Sequence, residues 1–456
     1  MSDYSWLRSL HCPFCGGDFQ VLEAGQLENL EGYMVLNCFC GSYPVVAGIP
    51  ILKKGKIGQP ALSIEEVTRL IKNGEHRKAL LSVLVHQPSA PRLAPAWLQN
   101  LPSLKGMDRL RLWIHNRRLS RWQAQAEELL TSRSNQITAC DLLDFYFRSC
   151  LHYTRGYEYF AFRFGQPRHL VAMAFATLIK RPSKPILDLG CGFGQITRSL
   201  VSRSKKQGVI GLDHNFFALF VAKNRIAPEA EYICCEADKS LPFADGAFSF
   251  IFCSNTFHFF RNKSNCVREI KRLAGNHGVI LLVSVRNGLI QHGTYGTPLP
   301  PAGYRSLLAD MPHLRMVADS QVLDQYLQKQ GPQLARSTKD ELLNDEGLLS
   351  IVASHKSEVF LDHDCFEDWP HAKGRLNLNP LYIEGESNEF GNLILVRSFP
   401  STFYEWDHTD YKKYLPEKVW ISSNVLTDLK QGKRKTPELE KLIEHCVVLG
   451  TPEHYL

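Results

Sequence analysis

Two groups of residues in this chain have types and spacings that could do chemistry. The first is a set of thiols: Cys12-Pro13-Phe14-Cys15 and Cys38-Phe39-Cys40 put two cysteine pairs on short knuckles, with Gly16, Gly17, Gly25, Gly32 and Gly41 nearby to supply turns. Four thiolates so arranged can close a tetrahedral zinc site, and in so small a unit the metal replaces a core too small to fold alone. Four protein ligands leave no open position, so the expected zinc is structural; a ribbon that holds no metal is the plainer alternative. The second group runs from Ile186 to Thr197 and reads as a buried strand, a turn and a helix start. Gly190, Gly192 and Gly194 permit close approach of a ligand, and the following helix aims free N–H groups at it, as a nucleotide-like molecule requires. Val209-Ile210-Gly211-Leu212-Asp213 then reads as a second strand ending in a carboxylate, about twenty residues on, where an acid accepts from ribose hydroxyls.

The turn is not spaced for a dinucleotide, which takes G-x-G-x-x-G; here an acid, Asp188, stands two residues before Gly190. A third strand is followed by Glu236-Ala237-Asp238, and then by Leu241-Pro242-Phe243-Ala244-Asp245-Gly246-Ala247-Phe248. Ser254-Asn255-Thr256-Phe257-His258 closes a fourth strand, and Gly278 to Val285 is the fifth. From about residue 155 to about residue 290 this order resembles the class I S-adenosylmethionine-dependent methyltransferases. The resemblance implies an α/β fold, a Rossmann-like sheet with helices on both faces, and S-adenosyl-L-methionine as cofactor. It implies that the glycine turn passes the methionine part, with Cys191 as a small residue in a crowded place and Asp188 orienting the turn and the ammonium end. It also implies that Asp213 holds the ribose hydroxyls and that Asp238 accepts from the adenine amino group. A carboxylate can accept from two neighbouring hydroxyls at once, which suits the ribose role. Ser249 stands where the family often has an aspartate.

Gly41 to Leu52, with Tyr43-Pro44-Val45 and Gly48-Ile49-Pro50, resembles the end of the zinc-ribbon adaptor family that pairs with methyltransferases. That likeness implies a protein partner as one use of the ribbon. His258, at the end of the fourth strand, is the candidate catalytic group, a general base by its ordinary pKa; a histidine packed within its loop is the plainer reading. Asn255 and Tyr157 are weaker candidates for acceptor contacts. No N-P-P-Y-like tetrapeptide follows the fourth strand, which argues against an amide or planar amine as acceptor. The expected acceptor is a small molecule or a carrier-bound intermediate, methylated at oxygen, nitrogen or carbon; a long lid, the aromatic helices from Tyr153 to Lys180 and the resemblance of the fourth-strand segment to small-molecule methyltransferases imply it. RNA is the alternative, carried by the ribbon and by the basic, aromatic stretch from Lys105 to Arg121; Lys430 to Lys435 is a second basic tract. A non-catalytic binding protein is the third reading, and the intact Gly190, Gly192, Gly194 and Asp213 speak against it.

Other elements must hold these groups in place. With 456 residues, 44% of them hydrophobic, the chain can bury more than one core. The expected units are a ribbon over 1–55, a helical connector over 56–152 and the cofactor-binding core over 153–290. A substrate lid and the rest of the sheet follow over 291–400, with the last strand at 392–399, and a mainly helical tail over 401–456. Ser63 is the expected cap of the first connector helix, and Pro88, Pro91, Pro95 and Pro102 mark a loop after it. The formal charge of +7 is modest for this length. No stretch approaches the roughly twenty apolar residues that span a bilayer, no secretory signal is read at Met1 to Arg8, and the remaining cysteines are scattered. No membrane contact and a cytoplasmic location are the expectations.

Overall fold

The computed structural model describes residues 5–23, 32–57, 62–84, 102–131, 137–148, 153–293, 295–363, 373–389, 392–431 and 436–456. Pro88, Pro91, Pro95, Gly25 and the basic tract over 432–435 lie outside the described residues.

The amino-terminal unit is an antiparallel sheet of β1 (Gln20–Glu23), β2 (Met34–Cys38), β3 (Gly41–Val46) and β4 (Ile49–Pro50). Cys38 and Cys40 sit at the tight β2–β3 turn, and Cys12 and Cys15 come from the loop before β1. A hairpin of β5 (Lys56–Ile57) and β6 (Leu62–Ser63) leads into α1 (Ile64–Lys72), which begins with the expected cap. The Ser63 hydroxyl accepts from the Glu66 N–H at 3.1 Å, and the Glu66 carboxylate accepts from the Ser63 N–H at 2.7 Å. Helices α2 (His76–Leu84), α3 (Pro102–Thr131) and α4 (Ala139–Phe147) complete the connector.

Seven strands make the central sheet: β7 (Ile186–Leu189), β8 (Val209–Asp213), β9 (Glu231–Cys234), β10 (Phe250–Ser254), β11 (Val279–Arg286), β12 (His313–Ala318) and β13 (Leu348–Ser354). They lie in the order β12-β13-β11-β10-β7-β8-β9. The five from β9 to β11 are parallel, and β13 is inserted antiparallel between β11 and β12. β7 and β11 are buried along their whole length, because helices cover both faces: α5 (Tyr153–Ala161), α6 (Pro167–Ala176), α7 (Gln195–Ser204), α8 (Phe216–Val221), α9 (Lys263–Ala274) and α11 (Asp319–Leu327), with the short α10 (Pro301–Leu307) and α12 (Asp340–Asn344) at the edge. The chain winds one way from β7 to β9 and the other way from β10, so a crevice opens beyond the carboxyl ends of β7 and β10, where sheets of this kind bind ligands.

The sequence reading of the carboxyl-terminal third needs correction. The last strand is not 392–399, and no hundred-residue lid separates it from the fifth strand, because β12 and β13 complete the sheet. Within the span expected as lid, α12 ends at Asn344, and Leu348–Ser354 is a strand buried at six of its seven positions. Leu393–Arg397 is β16 of a separate antiparallel sheet with β15 (Tyr382–Ser387) and β17 (Lys418–Ile421). Only Leu395 of β16 is fully buried, as suits a small outer sheet. In the tail the helices α13 (Thr402–Asp407), α14 (Ser423–Lys430) and α15 (Pro437–Glu444) are joined by two short strands that the sequence did not show, β17 and β18 (Val448–Thr451), and β18 pairs back with β14 (Arg375–Leu378).

The ribbon docks on the free edge of the central sheet. Ile51 bridges Cys234 of β9 in parallel, and the Leu52 N–H donates to the Cys234 carbonyl at 2.9 Å. Lys53 then donates to the His214 carbonyl at 3.2 Å and lies 4.0 Å from the Glu236 carboxylate. Among the described residues no helix is long and apolar enough to cross a membrane.

Candidate functional site

A cavity of about 930 Å³ fills the crevice. Its floor is the glycine turn after β7, its two sides are the ends of β8 and β10 and the face of α5, and α13 closes it from above.

On the cofactor side the turn is held from below. Gly190, Gly192 and Gly194 have φ of 73°, 52° and 80°, left-handed values that a side chain resists. Asp188 is 1% exposed and accepts the Thr197 hydroxyl at 2.6 Å, which ties the end of β7 to the first turn of α7. Burial raises its carboxyl to about 7; the Thr197 bond pulls the other way and the nearby Asp213 charge adds to the rise. Asp213 has the opposite fate. Burial opposes its charge, yet the His214 ring at 3.1 Å and the backbone N–H groups of Asn215 at 2.9 Å and Gly192 at 3.0 Å hold it below the ordinary carboxylate range. It stands ready as an ionised acceptor on the cavity wall. Asp238 lines the same wall and is braced by the Asn262 N–H at 3.3 Å. Cys191 lines the cavity as well, but burial keeps its thiol well above the ordinary range, so it is no nucleophile.

The residues present fit a nucleoside cofactor. The predicted set Asp188, Gly190, Cys191, Gly192, Gly194, Asp213 and Asp238 is brought together, and all but Gly194 line the cavity. Gly194 instead lies against Ala222, where it lets α7 approach the helical turn that follows α8. Several buried polar atoms on the walls have no partner among the described residues: Ser254 Oγ, Asn255 Oδ1 and both ring nitrogens of His258. Such groups are ordinarily satisfied, and a polar ligand would satisfy them.

His258 faces the cavity and is 1% exposed. Burial and the charges of Arg286 and Arg168 push its pKa down to about 3, so it stays neutral at physiological pH and takes up a proton poorly. Asn255 lines the cavity and donates to the Tyr159 hydroxyl at 2.7 Å. Tyr157, expected there, is not among the lining residues; Tyr159, two residues on along α5, takes that place. Sequence reasoning missed Arg168, Arg286, Tyr404, Asp407 and His408, which converge on the cavity from three distant segments. Ser249 does local work: its hydroxyl accepts from the Ser183 N–H at 3.1 Å and the Lys184 N–H at 2.8 Å, tying down the loop before β7.

The four ribbon thiols converge. The sulfur atoms of Cys12, Cys15, Cys38 and Cys40 all lie within 4.8 Å of one another, with Cys12 to Cys40 and Cys38 to Cys40 at 3.5 Å and Cys15 to Cys38 at 3.8 Å. Thiolates about 2.3 Å from a tetrahedral zinc are about 3.8 Å apart, so this set fits that ion.

Residues 187–282 match the model of a methyltransferase domain, and the chain contains a methyltransferase domain of the class I, Rossmann-like kind. Over 108 residues, 24% of the chain, it is 28% identical to a malonyl-[acyl-carrier protein] O-methyltransferase of Legionella pneumophila, and it spans 38% of that protein's length. Among solved structures, it overlaps a chain of the complex between the Haloferax volcanii Trm112 methyltransferase activator and a methyltransferase, with 18% identity, 40% of this chain, 89% of that one and a TM-score of 0.32. It also overlaps a geranyl diphosphate C-methyltransferase of Streptomyces coelicolor, with 16% identity, 39% and 71% coverage and a TM-score of 0.30.

Proposed function

We propose that the protein is an S-adenosylmethionine-dependent methyltransferase that acts on a small-molecule or carrier-bound acceptor. The observation that carries this reading is a single cavity with two unlike walls. One wall bears the glycine turn, Asp213 and Asp238; the other bears aromatic rings and unpartnered polar atoms. Bound there, the cofactor supplies a methyl group on a sulfonium, which a nucleophile takes by in-line displacement. In this reading Asp213 accepts from the ribose hydroxyls, Asp238 from the adenine amino group, and Asp188 steadies the turn and the ammonium end. His258, neutral and unpartnered, serves as a hydrogen-bonding group for the acceptor rather than as a strong base. The rings of Phe147, Phe160 and Phe193, mutually in contact, exclude water from the reacting centre. The carrier-bound form draws on the Legionella relative. Structural zinc in the ribbon belongs to the same proposal.

An RNA acceptor is the second reading, favoured by α3. Arg109, Arg111, Arg117, Arg118 and Arg121 are exposed there, and Trp113 is 56% exposed with Arg117 over its ring. Methyl-labelled S-adenosylmethionine incubated with the protein and a cell extract, then split into RNA, protein and small-molecule pools, separates the two. Label in the small-molecule or carrier pool supports the first reading and label in RNA the second. No label in any pool, from a protein that fails to bind S-adenosylhomocysteine, refutes both.

A further inference from the structure

The acceptor wall of the cavity sets Arg163, Arg168 and Arg286 against two lining carboxylates, Glu158 and Asp407, and Glu158 already accepts the Ser401 hydroxyl at 2.7 Å. Arg168 and Arg286 are each about 5% exposed, and they share one carboxylate, Asp407. Arg168 takes the better part of it, with Nη1 donating to Asp407 Oδ2 at 2.8 Å and Nη2 to the Asp407 backbone carbonyl at 3.0 Å. Arg286 reaches Oδ1 only at 3.4 Å, and its Nε has no partner among the described residues. A third guanidinium, Arg163, is 4% exposed and donates to the neutral Gln166 at 3.0 Å. Asp319 feels Arg168, but both of its oxygens already accept hydroxyls, from Ser284 and Ser350 at 2.6 Å each.

The neighbours register the surplus. Burial and Arg168 hold the Arg286 pKa below its ordinary value despite Asp407, and burial and Arg286 do the same to His292. Two buried guanidiniums that share one carboxylate are costly to keep, so a fold that holds them at the wall of an open cavity has a place for a ligand anion. A guanidinium fork with unused donors suits carboxylate and phosphate oxygens alike.

We propose that Arg286 and Arg168 form an anion subsite, with the unpartnered imidazole of His258 beside it, and that the methyl acceptor presents a carboxylate or phosphate group there. This rests on the methyltransferase reading and narrows its substrate class. Hexanoate, hexyl phosphate and hexanamide share an apolar tail and differ in charge, so their affinities for the full chain saturated with S-adenosylhomocysteine, measured by calorimetry, test it. One or both anions should bind at least about tenfold more tightly than the amide, a difference of about 1.4 kcal/mol, and the tighter of the two names the source. Arg286→Gln should bring that preference below about twofold, and Arg286→Lys should keep part of it. Equal binding of the three probes by the wild type, or an undiminished preference in Arg286→Gln, would overturn the inference. S-adenosylhomocysteine affinity is measured first, in separate titrations of the ligand-free wild type and Arg286→Gln. If it is lost in the wild type, the methyltransferase reading fails; if it persists in Arg286→Gln, the variant is folded and the subsite alone has been tested.

Discussion

Gly190→Ala separates what the glycine turn does for the fold from what it does for the ligand. At φ 73° an alanine pays about 1–2 kcal/mol for the left-handed backbone. Its Cβ would also overlap Thr256 Cγ2 and come within 2.9 Å of Thr256 Cβ. Thr256 cannot easily swing away, because its hydroxyl donates to the Gly190 carbonyl at 3.1 Å and the Ser254 carbonyl at 2.9 Å. Overpacking of this kind costs about 1–3 kcal/mol, so the total is about 2–5 kcal/mol. Thr256→Ser removes Cγ2 and keeps the hydroxyl; added to Gly190→Ala it should recover most of the packing part and leave about 1–2 kcal/mol. Gly192→Ala is the contrast. Its φ is 52°, but the new Cβ would meet only Phe160, at 3.6 Å, on the cavity side. It should cost the fold about 1–2 kcal/mol and weaken S-adenosylhomocysteine binding instead. Scanning calorimetry of the four proteins, with ligand titrations beside it, reads both quantities. The reasoning is refuted if Gly190→Ala unfolds with the wild type, or if the added Thr256→Ser raises its transition not at all.

Three further outcomes are expected. Asp213→Ala should weaken S-adenosylhomocysteine binding at least about tenfold, through lost charge-assisted bonds to the ribose; an unchanged affinity in titration would move the ribose elsewhere. The purified chain should carry about one zinc ion by elemental analysis, and Cys15→Ser should lower both the zinc content and the unfolding temperature; a metal-free wild type of full stability would remove zinc from the ribbon. The folded Asp188 pKa, raised to about 7, lies above its unfolded value, so its contribution to stability is greatest below about pH 4 and declines as pH rises through about 7. Asp188→Asn should therefore flatten the fall in unfolding temperature between about pH 5 and about pH 8, and an identical slope in the variant would count against the buried-acid account.

The amino-terminal half of the sheet and the cofactor wall could be read from local pattern, because each strand from β7 to β11 is a short apolar run ending in a distinctive residue. Asp188, Gly190 and Asp213 sit at strand ends, and Gly192, Gly194 and Asp238 in the turns that follow them; strand ends and turns are what the sequence marks. The last two strands were hidden for a physical reason. Leu348–Ser354 is a central strand buried on both faces, so it lacks the alternation of a half-exposed strand and reads as well for a helix. Leu393–Arg397 shows a strand's composition, and it is one, but composition cannot say which sheet a strand joins. The acceptor wall was illegible for a different reason. Arg168 lies on a buried helix, Arg286 at a strand end and Asp407 in the tail, and only the long-range fold brings them together.

The seating of the ribbon along β9 has a consequence for how the protein can be regulated. An open strand edge is a template for other chains, and a ribbon supplied by a separate protein would leave that edge bare whenever the partner ran short. Carried on the same chain, the ribbon meets the edge at a local concentration on the order of millimolar, whatever the abundance in the cell. Occupancy then depends on the ribbon's own folding and no longer on a partner's supply. Because the contact passes through Lys53 to the loops that bear His214 and Glu236, fraying of the ribbon would first loosen the β8 and β9 end of the cavity, while the glycine turn on β7 kept its shape.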